Sequence, residues 1–213
     1  MAKFDRNKHV YVSDEFEELI KDTIRFFNGT PVHQLPPPER FHGTGVYAIY
    51  YIGQNPLYAP DVAKNRLRYE KPLYVGKAVP QGWRQSRTAA KSNELSYELV
   101  NRLNEHSRSI EQGSDLEAEK FFCRFMILEN AASAMISTVE AALIKLYNPI
   151  WNSVVDGFGN HDPGSGRYQQ AKSDWDVIHA GRAWAKKCKG KANSRASILK
   201  KIQAYYKPEV KDA

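Results

Sequence analysis

The 213-residue sequence predicts an α+β fold: a small mixed or antiparallel sheet of about three strands flanked by helices, with helical additions at both ends. Three observations predict it. The runs VYAIYYI, PLYVGKA and AEKFFCRFMIL are rich in aromatic and β-branched residues, as strands are. Two longer runs repeat apolar residues at helical spacing. Their order along the chain is β-β-α-β-α, which does not suit a doubly wound parallel sheet.

Taken in order, the first element is a helix in which Asp14 and Glu17 form a capping box ahead of Phe16, Leu19, Ile20, Ile24 and Phe27. Asn28-Gly29 ends it. TPVHQLPPPERFHGTG then reads as an extended linker, because consecutive prolines forbid helix. The first strand follows, then a long polar loop at 54–72 and the second strand. A helix is expected from Asn93 to Ile110, capped by Ser92, with Leu95, Leu99, Leu103 and Ile110 on one face. After the third strand, a second helix runs from Ala131, capped by Asn130, to Tyr147, where Asn148-Pro149 stops it. GFGNHDPGSGR is a turn-dense loop, Asp174 to Lys187 an amphipathic helix, and the remainder a basic tail. The expected organisation is a helix and Pro-rich linker at 1–40, a core at 41–156 and a C-terminal loop, helix and tail at 157–213. These should form one compact domain.

Composition narrows the function. Hydrophobic residues make up 42% and aromatics 12%, which argues against disorder. Cys123 and Cys188 match no zinc or redox spacing and read as reduced thiols. The N-terminal stretch is charged, and no apolar run reaches the roughly 18 residues of a membrane span, so a soluble cytoplasmic chain is expected. From Gly181 to Ala213 there are ten Lys and Arg against two acids, so the net charge of +7 resides in the tail. Such a tail is either solvated or faces phosphate, and the interleaved Trp184, Tyr205 and Tyr206 favour phosphate.

Some residues invite a chemical reading. On a helical wheel Arg102 and His106 fall within about 20° of the apolar stripe of their helix. A buried guanidinium needs an anionic partner, so the pair marks either a site or a structural network. Glu140 lies on the margin of the second helix's stripe, either solvated or placed to hold one divalent metal. In GVYAIYYIGQ, Tyr47 and Tyr51 share one strand face but stand roughly 13 Å apart. Tyr74, on the next strand, can approach Tyr47 to about 5 Å across the ladder. Tyr47 and Tyr74 are therefore the expected pair, and the nearby YIG a decoy.

The ordered set GVY (45–47), YVG (74–76), Arg102, His106, Glu140 and YNPIWN ending at Asn152 resembles the GIY-YIG nucleases. GFGNHDPGSGR and WDVIHAGRAWA resemble the type II restriction endonuclease branch, down to the member that cuts CCGCGG. The resemblance implies metal-assisted hydrolysis of double-stranded DNA at a short GC-rich palindrome, by a homodimer whose cognate DNA methyltransferase is encoded nearby. It implies Mg²⁺, or Mn²⁺ in its place, on Glu140, and Arg102 on the phosphate. Tyr47 is then the general base with His106 as rival or helper, its pKa lowered by Lys77 and Arg102. Tyr74 orients phosphate or water, and Asn152 holds the site by side-chain hydrogen bonds. The expected DNA contacts are Lys77, Arg84, Arg87, Arg167, Arg182, Lys186 and Lys187. The insertion at 54–72 departs from the family pattern. A homing or repair-type GIY-YIG enzyme is the nearest alternative, and a catalytically silent DNA-binding module the alternative of another class.

Overall fold

The computed structural model describes residues 3–80 and 96–207. Strands β1 (Val32–Gln34), β2 (Gly45–Tyr51), β3 (Tyr74–Ala78) and β4 (Phe121–Ile127) form an antiparallel sheet in the order β1-β4-β2-β3. Every residue of β2 is buried, so both faces of the sheet are covered. Strand alternation sends Tyr47, Ile49 and Tyr51 to one face and Val46, Ala48 and Tyr50 to the other. The first set packs with Leu99, Leu103 and Ile110 of α3 (Glu98–Glu111). The second packs with Phe27 of α1 (Asp14–Gly29) and with Ile136, Val139 and Leu143 of α4 (Ile136–Tyr147).

β1 is a fourth strand, inside the stretch expected to be linker. The run of three prolines begins only at Pro36, which leaves Val32 to Gln34 free to pair with β4, and Gln34 Nε2 also donates to Phe121 O at 3.1 Å. The expected loop at 54–72 holds a second helix, α2 (Ala59–Arg68). Its inward residues include Asp61 and Asn65, which made the segment read as solvated. Asn65 Nδ2 donates to Lys71 O at 2.8 Å and Asp61 accepts from the Tyr206 hydroxyl at 2.7 Å, so both polar groups are satisfied.

Helix ends also differ from expectation. Ser13, one residue before Asp14, caps α1 by accepting from Phe16 N at 3.1 Å. Tyr97 precedes α3 without a side-chain cap, and the expected start at Ser92 and Asn93 lies outside the described residues. Asn130 adopts φ +52° at the head of a 3₁₀ turn to Met135, and α4 begins only at Ile136. The helix expected from Asp174 to Lys187 stops after α6 (Asp174–Ile178), which follows the short α5 (Ile150–Ser153). Beyond the break, the Gly181 backbone lies so close to the end of α3 that a Cβ would sit 1.4 Å from Gln112 O.

The basic tail contains a helix, α7 (Arg195–Tyr206), capped by Ser194. Ile198 and Ile202 are buried in the same cluster as Tyr47 and Trp151, and Lys201 pairs with Asp174 at 2.8 Å. A hydrogen-bonded chain joins the insertion to this C-terminal part. Trp151 Nε1 donates to the Tyr58 hydroxyl at 2.9 Å, and that hydroxyl lies 2.5 Å from His179 Nε2. His179 Nδ1 lies 2.7 Å from Asp115. Burial holds His179 below its ordinary pKa, so a neutral ring donates to Asp115 and accepts from Tyr58.

Candidate active site

The backbone explains the glycine of each half-motif. A Cβ on Gly45 would meet Met126 O at 2.0 Å, so glycine is what lets β2 approach β4 there. A Cβ on Gly76 would lie 2.5 Å from the Tyr47 hydroxyl and 2.8 Å from Tyr74 Cε1. Gly76 thus leaves the hollow in which the two phenols meet.

The register differs from the simplest pairing. Tyr47 stands opposite Gly76, and Tyr74 opposite Ile49, so the two tyrosines are diagonal neighbours with ring centroids 6.3 Å apart. Tyr51 is engaged elsewhere: its hydroxyl donates to Glu117 at 2.7 Å and accepts from Asn55 N at 3.1 Å. These contacts secure the entrance to the insertion.

α3 lays His106 and Arg102 over the tyrosine pair. The Tyr47 hydroxyl lies 2.6 Å from His106 Nε2, and both residues are buried. Arg102 donates to Gly159 O at 2.9 Å, pairs with Glu105 at 2.9 Å and contacts His161. Phe158 stacks on His106, with centroids 4.6 Å apart, and meets Tyr74 edge-on at 5.0 Å. Sequence patterning missed Phe158, Gly159 and His161, which sit in a loop without periodicity. The density of turn residues and the resemblance of GFGNHDPGSGR to the type II branch marked the segment, but neither singled out these three residues.

The electrostatics correct one expectation. Burial pushes the Tyr47 hydroxyl well above the ordinary tyrosine range, and Tyr74 and Glu140 push the same way; Arg102 opposes them without prevailing. Tyr74 is raised too, chiefly by burial, again against Arg102. Lys77, expected to act on Tyr47, pairs with Glu140 at 2.7 Å. His106 is held well below its usual value by burial and then by the Arg102 charge. A neutral imidazole facing a protonated phenol makes Tyr47 the donor and His106 Nε2 the acceptor.

Asn152 pins the outer edge of β3: its Oδ1 accepts from Val75 N and its Nδ2 donates to Val75 O, both at 2.8 Å. The expected DNA contacts divide. Arg167, Lys186 and Lys187 are exposed, whereas Arg84 and Arg87 lie outside the described residues. Arg182 is 1% exposed, enclosed by Asp176, three backbone carbonyls and the rings of Trp175 and Trp184, so it is no DNA contact.

Two comparisons bear on this geometry. The profile of the Eco29kI GIY-YIG domain family matches residues 39–206. No curated protein matches the chain. GIY-YIG nucleases generally depend on a divalent metal. The residues present fit one: the Glu140 carboxylate already attracts a cation, the Lys77 ammonium. Among the described residues no cluster of three or more metal-ligating side chains occurs. A single carboxylate suits a hydrated ion such as Mg²⁺, whose other ligands are water and phosphate. Among the described residues no helix is long and apolar enough to cross a membrane. With its two half-motifs on adjacent strands and Arg102, His106 and Glu140 around them, the chain belongs to the Eco29kI GIY-YIG domain family of type II restriction endonucleases, which makes it a DNA endonuclease.

Proposed function

We propose that the protein cuts both strands of duplex DNA at a short palindrome, CCGCGG, as a homodimer that requires Mg²⁺, with Mn²⁺ able to replace it. The observation that carries this reading is the convergence of Tyr47, Tyr74, Arg102 and His106 on one sheet face, with Glu140 at the β3 edge. Tyr47 takes the proton of the attacking water while its own proton passes to His106 Nε2, 2.6 Å away. Burial keeps the ring neutral, which leaves the Nε2 lone pair facing that hydroxyl. Arg102 stabilises the phenolate and the charge that develops on the phosphate, exchanging Glu105 and His161 for phosphate oxygens. Tyr74 orients the phosphate. Glu140 would hold the metal, which when bound adds charge neutralisation at the phosphate and the departing 3′ oxygen. A cognate methyltransferase encoded nearby would protect host DNA without forming a stable complex.

The test is digestion of a sequenced plasmid with and without Mg²⁺. Discrete fragments ending at CCGCGG are expected, and Glu140→Gln should still bind DNA but not cut it. Random nicking would favour a repair-type enzyme, and a mobility shift without cleavage a silent binding module.

A further inference from the structure

We propose that Arg182 is a positioning residue for hydrolysis, acting through the segment 157–161; this rests on the site reading given above. Its guanidinium spends four of its five N–H groups inside the protein. Nε donates to Asp176 Oδ1 at 2.7 Å, Nη2 to Gly157 O at 2.9 Å, and Nη1 to Phe158 O and Asn160 O, each at 3.1 Å. The indoles of Trp175 and Trp184 lie 4.5 and 4.7 Å from its carbon. The carbonyls it gathers belong to a segment with little regular hydrogen bonding of its own, entered through Gly157 at φ +92°.

That segment faces three of the four convergent side chains. Gly159 O holds Arg102, and His161 rests on the same guanidinium. Phe158 lies against the rings of His106 and Tyr74. The Gly159 backbone passes so near the Tyr74 hydroxyl that a Cβ would come within 2.6 Å. Arg182 meets neither tyrosine nor DNA; it fixes the surface against which Arg102 and His106 rest. Lysine keeps the charge for Asp176 but presents three donors from one point, a geometry that cannot serve Nε's carboxylate and three carbonyls in one plane.

The experiment compares Arg182→Lys with wild type on a plasmid that the wild-type protein cuts. Single-turnover cleavage, DNA affinity in Ca²⁺ and thermal midpoint are measured in parallel. Arg182→Lys should lose about 10²-fold in the cleavage constant, the scale of a small misplacement of catalytic groups, with DNA affinity within a few-fold of wild type. In Arg182→Ala, added guanidinium ion should restore cleavage saturably, where NaCl at equal ionic strength does not. Phe158→Leu, which leaves the buried ion pair intact, should lower the same constant and covers the case in which the Arg182 variants do not fold. Wild-type cleavage by Arg182→Lys or Phe158→Leu overturns the proposal, as does a loss confined to DNA affinity. Wild-type cleavage by Tyr47→Phe would instead overturn the site reading, and this proposal with it.

Discussion

Among single residues, the three tyrosines of the two half-motifs divide by their partners. Tyr47 and Tyr74 face His106 and Arg102, whereas Tyr51 serves Glu117 and the Asn55 backbone. Tyr51→Phe should therefore cost about 1–3 kcal/mol of stability and leave cleavage within a few-fold of wild type. Tyr47→Phe and Tyr74→Phe should each lower cleavage by about 10² or more, and Tyr47→Phe should also cost about 1–3 kcal/mol of stability, because it leaves the buried His106 Nε2 without its donor. Cleavage rates and urea midpoints of the three variants decide this; a crippled Tyr51→Phe beside an active Tyr74→Phe would reverse the pairing. The half-motifs, Arg102, His106 and Glu140 were legible because each sits at a readable strand or helix position. Arg182 was misread because the charge of a sequence segment does not tell which of its cations turn inward. Asp176, its partner, lies six residues earlier, across the helix break after Ile178.

At the level of elements, patterning found those with clean apolar periodicity, β2, β3, β4, α3 and α4, and missed those whose inward faces are polar or sparse. β1 has three residues, α2 buries Asp61 and Asn65, and α7 buries only Ile198 and Ile202 amid lysines. The burial in α7 changes what its removal should do. Deleting the chain from Asn193 takes two core isoleucines and the Lys201–Asp174 pair with it. Ile198→Ala alone should cost about 2–5 kcal/mol, so the deletion should yield an unfolded chain rather than a folded one with weaker DNA binding. Circular dichroism of the truncated protein checks this. A folded truncation with native melting would return α7 to the role of a solvated tail.

The whole molecule carries two linkages. His106 and His179 are buried and neutral, with folded pKa values below the ordinary 6.5. The unfolded chain therefore binds their protons first as pH falls. Their stabilising contribution is complete above about pH 6.5 and is lost as pH drops toward the lowered folded values. The urea midpoint should be flat from about pH 8 to 7 and fall below 6.5, less steeply in His179→Gln. A midpoint unchanged down to about pH 5.5 would contradict it. The second linkage is to DNA symmetry. On the proposed function, one chain supplies one site, and a break in both strands of a palindrome calls for two chains related by a two-fold axis. Sedimentation of the DNA complex should give two chains per duplex, and a stoichiometry of one would count against the homodimer.

β3 carries Tyr74 yet is an edge strand, the kind of surface on which one protein recruits the strand of another. The Asn152 amide occupies both hydrogen-bonding groups of Val75 that face away from β2, as a neighbouring peptide would. The same side chain that steadies a candidate catalytic strand therefore also denies that strand to foreign chains. Asn152→Ala should therefore bare both groups of Val75 to any strand that meets them, and a lower soluble yield than wild type on expression is the outcome that would show it.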